Sequence, residues 1–419
     1  MKIPPFKEIN PPNDKGYWIN KKTNQSFGGQ YASPVLLENL KKLEVGFKKA
    51  MSDKSFLDDL EHDNAFYLGL PTPVQYSKEL TELAGGEGKV GKIYLKRTDL
   101  TSGGSHKPVN ALGSVKLAKY LGYKRIYTET GAAQNSRAVA AAVAKESMDL
   151  VVYIGEKDFQ RVNLNATVTE LFFNSNSKIV RVTDGNATLL PAMAAALRAW
   201  SGDPESLYVV GSVCGPHPYP LIVRTFQSVI GRAAKQQMIE LTGRPADACW
   251  AVVGGGSNCM ALHYDHINEK TQLWGVESAG SGVESGKHAA TISSGKSKVA
   301  IMLGQKANAL VDENFQVLES HSAAAGLDFS GTGPEISYLH SIGRLKFATP
   351  VTDEDAIEMY HKISTTTGIL PALEFCYCAS AAIKEIRKRQ NPNENHLLHF
   401  CGRGESNAVE MLKNKNDKK

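Results

Sequence analysis

The segment SGGSHKP at residues 102–108 holds the candidate for covalent chemistry, Lys107. Pro108 follows it, at a position that predicts the first turn of a helix, where a missing backbone N–H removes no hydrogen bond. The N-terminal end of a helix disfavours an ammonium group, and partial burial would lower the lysine pKa further. A lysine in that environment suits Schiff-base formation with a carbonyl compound. The alternative is an ordinary surface lysine.

A second candidate is the turn GGGSN at residues 254–258, which directly follows the apolar residues AVV. Three successive glycines let a ligand approach the backbone, and consecutive N–H groups can cradle an anion such as a phosphate. Ser257 and Asn258 add side-chain donors. The spacing is neither GxGxxG nor GxxxxGKS/T, so dinucleotide-binding and P-loop sites are disfavoured. The alternative is a tight turn between a strand and a helix.

A third candidate is the segment TETGAAQN at residues 128–135, which runs from a predicted strand into a predicted helix. Its N–H groups and Thr130 could bind the carboxylate of a substrate. Glu129 could act there as a general acid or base. The alternative is helix capping by Thr130 or Asn135, with Glu129 exposed to solvent.

Alternating strands and helices must position these segments. Apolar patterning predicts strands at residues 93–95, 125–128, 150–154, 179–182, 207–210 and 249–253. It predicts helices at residues 36–60, 108–121, 136–145, 159–173, 189–200 and 220–241. The segment GRG at residues 402–404 follows the apolar run HLLHFC, which places Cys401 at a strand end. This alternation indicates parallel sheets covered by helices, and we expect an α/β fold of two lobes with a ligand cleft between them.

Composition excludes several classes of protein. With 42% hydrophobic residues and a formal net charge of +5, the chain of 419 residues is not mainly disordered. Its densest basic cluster, at residues 413–419, contains no aromatic residue, which favours a solvated end over a nucleic-acid site. No apolar stretch reaches the ~18–20 residues that span a bilayer. The N-terminal sequence MKIPPFKEINPPNDKG lacks a secretory apolar run, and the six cysteines form no CxxC pair. We therefore expect a cytoplasmic enzyme with reduced cysteines, and neither nucleic acid nor membrane as a partner.

Together these segments resemble the tryptophan synthase beta chain family, which uses pyridoxal 5'-phosphate (PLP) and has the fold called type II. The resemblance covers nearly the whole chain, in order. The matching motifs are FGGQY at residues 27–31, PTP at 71–73, LKRTDLTSGGSHKPVNALG at 95–113, ETGAAQ at 129–134, GPHPYP at 215–220, FQSVIGR at 226–232, GGGSN at 254–258, SGKHAA at 285–290, AGLDFSGTGPE at 325–335, GILPALE at 368–374 and GRG at 402–404. The resemblance implies two α/β lobes with parallel twisted sheets flanked by helices, and a PLP cofactor.

The resemblance also implies residue roles. Lys107 would hold PLP and later transfer protons, Glu129 would be the acid or base at the substrate hydroxyl, and Asp328 would contact that hydroxyl. Further cofactor contacts are implied for His106, Gln134, Ser212, Gly254, Gly255, Gly256, Ser257, Asn258, Glu374 and Cys401. The substrate carboxylate would lie against Thr130, Gly131, Ala132, Gln134 and Asn135. A monovalent cation is implied near Phe329 and Ser330.

We expect residues 1–75 to form an N-terminal extension and helices that join the lobes. Residues 76–215 should form mainly the N-terminal lobe, with a mobile subregion at about 110–200. Residues 216–419 should form mainly the C-terminal lobe, which carries the phosphate loop. The resemblance also implies a homodimer that acts on an amino acid and an indole-like nucleophile, and it leaves open an alpha-type partner subunit.

Several positions depart from the common form of that family. Ala133 replaces a glycine, Asn135 replaces a histidine, Cys401 replaces a serine and Leu70 replaces an arginine. Pro108 replaces a residue that is usually not proline. Met302 and Leu303 stand where aromatic residues are frequent.

Three hypotheses therefore stay open. The first is β-replacement through an aminoacrylate, in which L-serine and indole give L-tryptophan and water. The second is a paralogue with another β-substituted amino acid or nucleophile. The third is a non-catalytic binding relative, which the presence of Lys107 and Glu129 disfavours.

Overall fold

The computed structural model of the chain describes residues 3–131, 133–161, 163–405, 408 and 411. Ala132 and the basic cluster at residues 413–419 lie outside the described residues. The strands are β1 (Tyr17–Asn20), β2 (Gln25–Gly28), β3 (Val74–Tyr76), β4 (Lys92–Arg97), β5 (Arg125–Thr130), β6 (Asp149–Gly155), β7 (Lys178–Val182), β8 (Ser206–Val209), β9 (Ala248–Val252), β10 (Gln272–Val276), β11 (Ser278–Gly280), β12 (Lys298–Met302), β13 (Gln305–Ala309), β14 (Leu345–Phe347), β15 (Val351–Thr352) and β16 (Asn395–Phe400). The helices are α1 (Pro34–Ser52), α2 (Lys54–Phe66), α3 (Lys78–Ala84), α4 (Lys107–Tyr120), α5 (Gln134–Glu146), α6 (Glu156–Arg161), α7 (Asn163–Glu170), α8 (Leu189–Ser201), α9 (Tyr219–Gln227), α10 (Val229–Thr242), α11 (Ser257–His263), α12 (Pro334–Ser341), α13 (Asp353–Thr367) and α14 (Leu373–Arg389).

Three helices that the apolar pattern predicts as continuous are each divided in two. Residues 36–60 form α1 and α2, because Asp53 adopts an extended conformation and its side chain accepts the backbone N–H of Ser55, which starts a new helix. Residues 220–241 form α9 and α10, which meet at Ser228. The Ser228 hydroxyl donates to the carbonyl of Thr225 at 2.8 Å, a bond that bends helices. Residues 159–173 contain the second half of α6 and all of α7. Apolar periodicity does not register these interruptions.

A four-stranded parallel sheet in the order β7-β6-β5-β8 carries the third candidate segment. Its strand β6 reads DLVVYIG and is buried along most of its length, as expected for a parallel strand covered on both faces. Helices α5 and α8 pack against β5. Because β5 ends at Thr130 and α5 begins at Gln134, the turn between them lies at the carboxyl edge of this sheet.

A six-stranded sheet in the order β14-β10-β9-β16-β4-β3 carries the other candidate segments. All its pairs are parallel except that of β3 with β4. Strands β9 and β16 are fully buried, and the glycine turn and Cys401 follow them directly. Because the carboxyl ends of parallel strands meet at one edge, these two segments lie near each other. The sheet unites β3 and β4 with four strands from after residue 247, and the predicted domain boundaries stay a prediction.

The predicted fold class is confirmed: parallel sheets are flanked by helices. A third sheet, in the order β1-β2-β13-β12, is antiparallel and makes the fold mixed. The six cysteines are buried and form no disulfide with one another. Among the described residues, every helix is too short or too polar to cross a bilayer.

Candidate active site

One cleft brings the candidate segments together. Its empty volume is about 960 Å³, including its solvent-open mouth. The predicted residues that line it are His106, Lys107, Glu129, Thr130, Gly131, Gln134, Asn135, Ser212, Gly254, Gly255, Gly256, Ser257, Asn258, Asp328, Phe329, Glu374 and Cys401. Residues as far apart in sequence as His106 and Cys401, which are separated by 295 positions, therefore share one site. Their individual roles stay predictions, to which the contacts below add physical detail.

Lys107 is the first residue of α4, as the sequence predicts, and its side chain lies in the cleft. Its ammonium Nζ donates to the carbonyl oxygen of Gly211 at 2.6 Å. Burial lowers the pKa of Lys107, while the nearby carboxyls of Glu129 and Glu374 oppose that shift. An amine with a lowered pKa is more often neutral and hence nucleophilic, which is what Schiff-base formation needs.

Glu129 lies on β5 and is buried, so the capping alternative with an exposed carboxylate is wrong. Its Oε1 accepts the backbone N–H of Gly211 at 3.1 Å. Burial raises the pKa of Glu129 to about 7, although the nearby Tyr208 hydroxyl, the N–H of Gly211 and the charge of Lys107 lower it. A carboxyl with a pKa near neutrality can both give and take a proton at physiological pH.

The glycine turn is packed too tightly for side chains. A Cβ on Gly255 would lie 2.4 Å from the Ser212 hydroxyl, and Gly256 has a φ of +105°, which disfavours other residues. His106 and Asn258 flank this turn. The ring Nε2 of His106 lies 3.2 Å from the hydroxyl of Ser257. Burial, helped by the charge of Lys107, holds the pKa of His106 well below its usual range, so the ring is neutral.

Glu374 and Cys401 also line the cleft. The backbone N–H of Gly326 donates to Oε1 of Glu374 at 3.1 Å. Burial raises the pKa of Glu374 and of the Cys401 thiol. Nδ1 of His399 on β16 lies 3.0 Å from the backbone carbonyl oxygen of Asn258, so the end of β16 lies beside the glycine turn. Both groups are therefore suited to a neutral, hydrogen-bonding contact with a ligand.

The turn between β5 and α5 has two unexpected features. Ala133 has a left-handed φ of 58°, and its buried methyl group packs in an apolar cluster with Ile154 and Ala166. Asn135 directs its amide nitrogen to Oγ1 of Thr128 at 3.1 Å and to the carbonyl of Glu129 at 2.9 Å. The amide nitrogen is therefore engaged by the protein itself, whereas the buried Oδ1 has no partner at hydrogen-bond distance among the described residues. Thr130, Gly131 and Gln134 line the cleft at the position predicted for a substrate carboxylate.

A second cavity, with an empty volume of about 1780 Å³, adjoins the first and shares Asp328 and Phe329 with it. Oδ1 of Asp328 accepts the hydroxyl of Ser320 at 2.7 Å. Ser330 lines this second cavity, and its hydroxyl donates to the carbonyl of Leu318 at 2.6 Å. Within the described part of the chain, no cluster of three His, Cys, Asp or Glu side chains could hold a metal. The monovalent cation at Phe329 and Ser330 stays a prediction.

Sequence reasoning missed several residues of the cleft and its surroundings, and three of them lie beside Lys107 or Glu129. Gly211 binds both Lys107 and Glu129 through its backbone, Cys214 lines the wall, and Tyr208 faces Glu129 from the neighbouring strand. The strand predicted at residues 207–210 indicated that a turn at the edge of the sheet would follow near Gly211. Nothing in the spacing indicated which backbone groups it would supply.

The cleft fits the group that the resemblance implies. The buried Oδ1 of Asn258 and Oε2 of Glu374 have no partner at hydrogen-bond distance among the described residues, so both are available to a ligand. The backbone N–H groups of the glycine turn, which lines the cleft beside His106, could cradle a phosphate. Lys107 supplies the amine for an aldehyde. These residues would hold PLP by its phosphate, its ring and its carbonyl carbon.

Comparison with known proteins agrees with this fit. A sequence model of the family described as "Pyridoxal-phosphate dependent enzyme" matches residues 66–402. A threonine deaminase from T.th. is similar in structure, with a TM-score of 0.57 and 17% identity over 87% of this chain and 98% of that one. A pyridoxal 5'-phosphate-dependent aspartate racemase has a TM-score of 0.60 and 14% identity over 82% of this chain and 93% of that one. These likenesses show the fold, and the type II prediction is confirmed.

Proposed function

The chain belongs to the family of pyridoxal-phosphate dependent enzymes, and we propose that its reaction is a β-replacement in which an incoming nucleophile displaces the hydroxyl group of L-serine. Indole is the nucleophile that the sequence resemblance favours, with L-tryptophan and water as products. The observation that carries this proposal is the buried Glu129 carboxyl, with a pKa near 7, beside the Lys107 amine.

PLP, when bound, supplies an electron sink for the negative charge that develops at the substrate Cα. The Lys107 amine would hold the cofactor aldehyde, and as a free amine it would take the proton from the substrate Cα. Glu129 gives a proton to the departing hydroxyl group, which would otherwise leave as hydroxide. It can then accept the proton that the nucleophile loses. The backbone around Thr130 and Gly131 holds the substrate carboxylate.

The polar parts of the cleft have complementary roles. Neutral His106 and the glycine turn would hold the phosphate, and Glu374 and Cys401, which line the same cleft, would contact the ring. Leu189 and Met193 of α8 contribute apolar surface that limits water in the cleft. Exclusion of water favours attack by the nucleophile over hydrolysis.

A second candidate is β-replacement with another donor or another nucleophile. It is favoured by the adjoining cavity, whose lining includes the polar side chains of Lys157, Asn186 and Lys287. Met302 also lines this cavity at a position where the resembling family often has aromatic residues. A polar chamber of this kind would accept a hydrophilic nucleophile as well as indole.

One reconstitution experiment separates these candidates. The purified protein is loaded with PLP and incubated with L-serine, with and without indole, and products are identified by mass spectrometry. L-tryptophan supports the first candidate, and a different β-substituted amino acid from a nucleophile panel supports the second. Pyruvate and ammonia alone, or loss of chirality without loss of hydroxyl, contradict β-replacement. Lys107→Ala should abolish turnover and the covalent absorption band together.

We also propose a homodimer in the cytoplasm, with a monovalent cation near Phe329 and Ser330, following the resemblance. Light scattering of the purified chain tests the dimer. Mixing with an alpha-type subunit, followed by the same scattering measurement, tests that partner. Turnover in potassium, sodium and caesium salts tests the cation.

A further inference from the structure

Tyr208 lies beside Glu129 because of the register of two parallel strands. Tyr208 on β8 pairs with Tyr127 on β5. Side chains alternate along a strand, so Tyr127 and Glu129 point to the same face of the sheet as Tyr208. The hydroxyl of Tyr208 and the carboxyl of Glu129 are therefore neighbours across adjacent strands, and each influences the pKa of the other.

Both groups lack other partners. Oη of Tyr208 and Oε2 of Glu129 are buried from solvent, and neither has a partner at conventional hydrogen-bond distance among the described residues. The other carboxyl oxygen of Glu129 is bound by the N–H of Gly211 at 3.1 Å. A hydrogen bond between this neighbouring hydroxyl and carboxyl oxygen would satisfy two buried polar atoms at once.

The tyrosine ring is fixed in place. It stacks on Trp200 with ring centroids 6.1 Å apart and meets the edge of Tyr219 at 5.5 Å. The Tyr219 hydroxyl donates to the backbone carbonyl of Tyr208 at 2.8 Å. Burial raises the pKa of Tyr208 well above its usual value, and the nearby Glu129 raises it further, so the phenol keeps its proton. A rigid, permanently protonated phenol is thus aimed at the proposed acid–base group.

We propose that Tyr208 is a positioning residue for Glu129. Its hydroxyl donates to Oε2 while the carboxyl is ionised and accepts from Oε2 when the carboxyl is protonated. The exchange of roles needs only rotation of the hydroxyl hydrogen, so no proton is gained or lost by the tyrosine. The inference rests on the proposed function of Glu129 as an acid and base, and deepens it by naming what holds that carboxyl in place.

The other titratable side chains near Glu129 differ from Tyr208 in charge or position. Lys107 on α4 is the cation that lowers the pKa of Glu129, and Cys214 and Tyr219 are held neutral by burial, which raises their pKa values. Tyr153 on β6 pairs beside Glu129, and its pKa is also raised by burial. Helices α5 and α8 contribute the neutral side chains Asn135, Ser136, Leu189, Met193 and Trp200.

Infrared difference spectroscopy tests the proposal without turnover. The carbonyl band of protonated Glu129 is assigned by its loss in Glu129→Gln and followed against pH in cofactor-free and PLP-loaded protein. Tyr208→Phe should move the midpoint upward by about one pH unit or more, because the ionised carboxyl loses a charge-assisted donor. Tyr153→Phe is the matched control: it removes a hydroxyl from the residue that pairs with Glu129 on the other neighbouring strand, β6, and should leave the midpoint unchanged. An unchanged midpoint in Tyr208→Phe overturns the proposal.

A second measurement covers the case in which Tyr208→Phe does not fold. In wild-type protein with ring-deuterated tyrosine, one tyrosine band should shift with the same midpoint as the Glu129 band, and the shift should vanish in Glu129→Gln. The proposal is also overturned if no tyrosine band shifts at the pH midpoint of the Glu129 band. These outcomes are independent of the reaction. A shifted midpoint without β-replacement removes only the proposed function, and β-replacement with an unshifted midpoint removes only the role of Tyr208.

Discussion

Lys107 and Glu129 bind the two backbone polar groups of the same residue, Gly211. The ammonium Nζ of Lys107 donates to its carbonyl at 2.6 Å, and Oε1 of Glu129 accepts its N–H at 3.1 Å. The amine and the carboxyl are therefore held on one rigid piece of backbone after β8. Such a shared anchor fixes the distance between a group that acts at Cα and one that acts at Cβ.

The proposed reaction should depend on pH through Glu129. Its pKa is raised to about 7, so the carboxyl is protonated below that pH and ionised above it. Hydroxide is a poor leaving group, so the reaction needs protonated Glu129. We therefore expect kcat/KM with L-serine to fall about tenfold per pH unit above the pKa of Glu129. β-Chloro-L-alanine loses chloride without a proton, so its elimination rate should stay nearly flat between about pH 6 and 9.

The control for this prediction is Glu129→Gln. It should reduce the rate with L-serine by about 10²–10⁴-fold and the rate with β-chloro-L-alanine far less. Equal losses with the two substrates, or identical pH profiles in the wild type, would show that Glu129 does not protonate the leaving group.

Asn135→Ala should reduce stability more than substrate affinity. The Asn135 amide binds Thr128 Oγ1 and the Glu129 carbonyl inside the protein, and its removal leaves these acceptors with fewer donors. We expect the free energy of unfolding to fall by about 1–3 kcal/mol, measured by urea denaturation.

Gln134→Ala is the matched variant, because Gln134 is only half-buried and lines the cleft. It should change stability by less than about 0.5 kcal/mol and weaken amino-acid binding. The reverse pattern would restore Asn135 as a direct carboxylate ligand.

Cys401→Ser should alter the bound cofactor without altering the fold. Burial raises the pKa of the Cys401 thiol, so it remains a neutral, weak donor. A serine hydroxyl bonds more strongly to a ring nitrogen, so the visible absorption band of the PLP-loaded protein should shift and PLP should dissociate more slowly. Cys376→Ser is the control, because that buried sulfur already contacts the Ala372 carbonyl at 3.6 Å and does not line the cleft. A cofactor spectrum identical in wild type and Cys401→Ser would place position 401 away from the ring.

Lys96→Met should stabilise the protein below neutral pH. The buried Lys96 ammonium donates to the Thr72 carbonyl at 2.6 Å and to the Gln237 side chain at 2.9 Å. Burial lowers its pKa to about 7. Below that pH the group is charged in the folded and unfolded states alike, so the full burial penalty is present. As the pH rises from about 7 towards the pKa of lysine in the unfolded state, Lys96 loses its proton first in the folded state. The free-energy cost of burying its charge then decreases.

We therefore expect Lys96→Met to raise the free energy of unfolding by about 1–4 kcal/mol at about pH 6, with a difference that narrows towards about pH 10. Gln237 Nε2 still donates to the Thr72 carbonyl at 3.0 Å, so that acceptor keeps a partner. Lys116→Met should have the opposite sign, because Lys116 pairs with Asp59 and Asp63. A stability difference for Lys96→Met that does not change with pH would contradict the lowered pKa.

The local features of this protein can be read from its amino-acid order. Apolar segments predicted strands β6 and β9, because burial of both sheet faces requires near-continuous apolar runs. The glycine turn and Lys107 were recognisable because the turn and the start of α4 depend on neighbouring residues only. The order of the motifs along the chain then sufficed to predict that these segments share a cleft.

The contacts between distant groups arise only when the chain is folded. Gly211 anchors Lys107 because α4 packs against β8, and it anchors Glu129 because β5 pairs with β8. The same register brings Tyr208 to face Glu129. The amide nitrogen of Asn135 donates to Thr128 and Glu129 because the packing of α5 against the end of β5 brings these groups together. Hydrogen-bond partners, burial and the resulting pKa shifts depend on distances through space. A sequence pattern records spacing along the chain and leaves those distances undetermined.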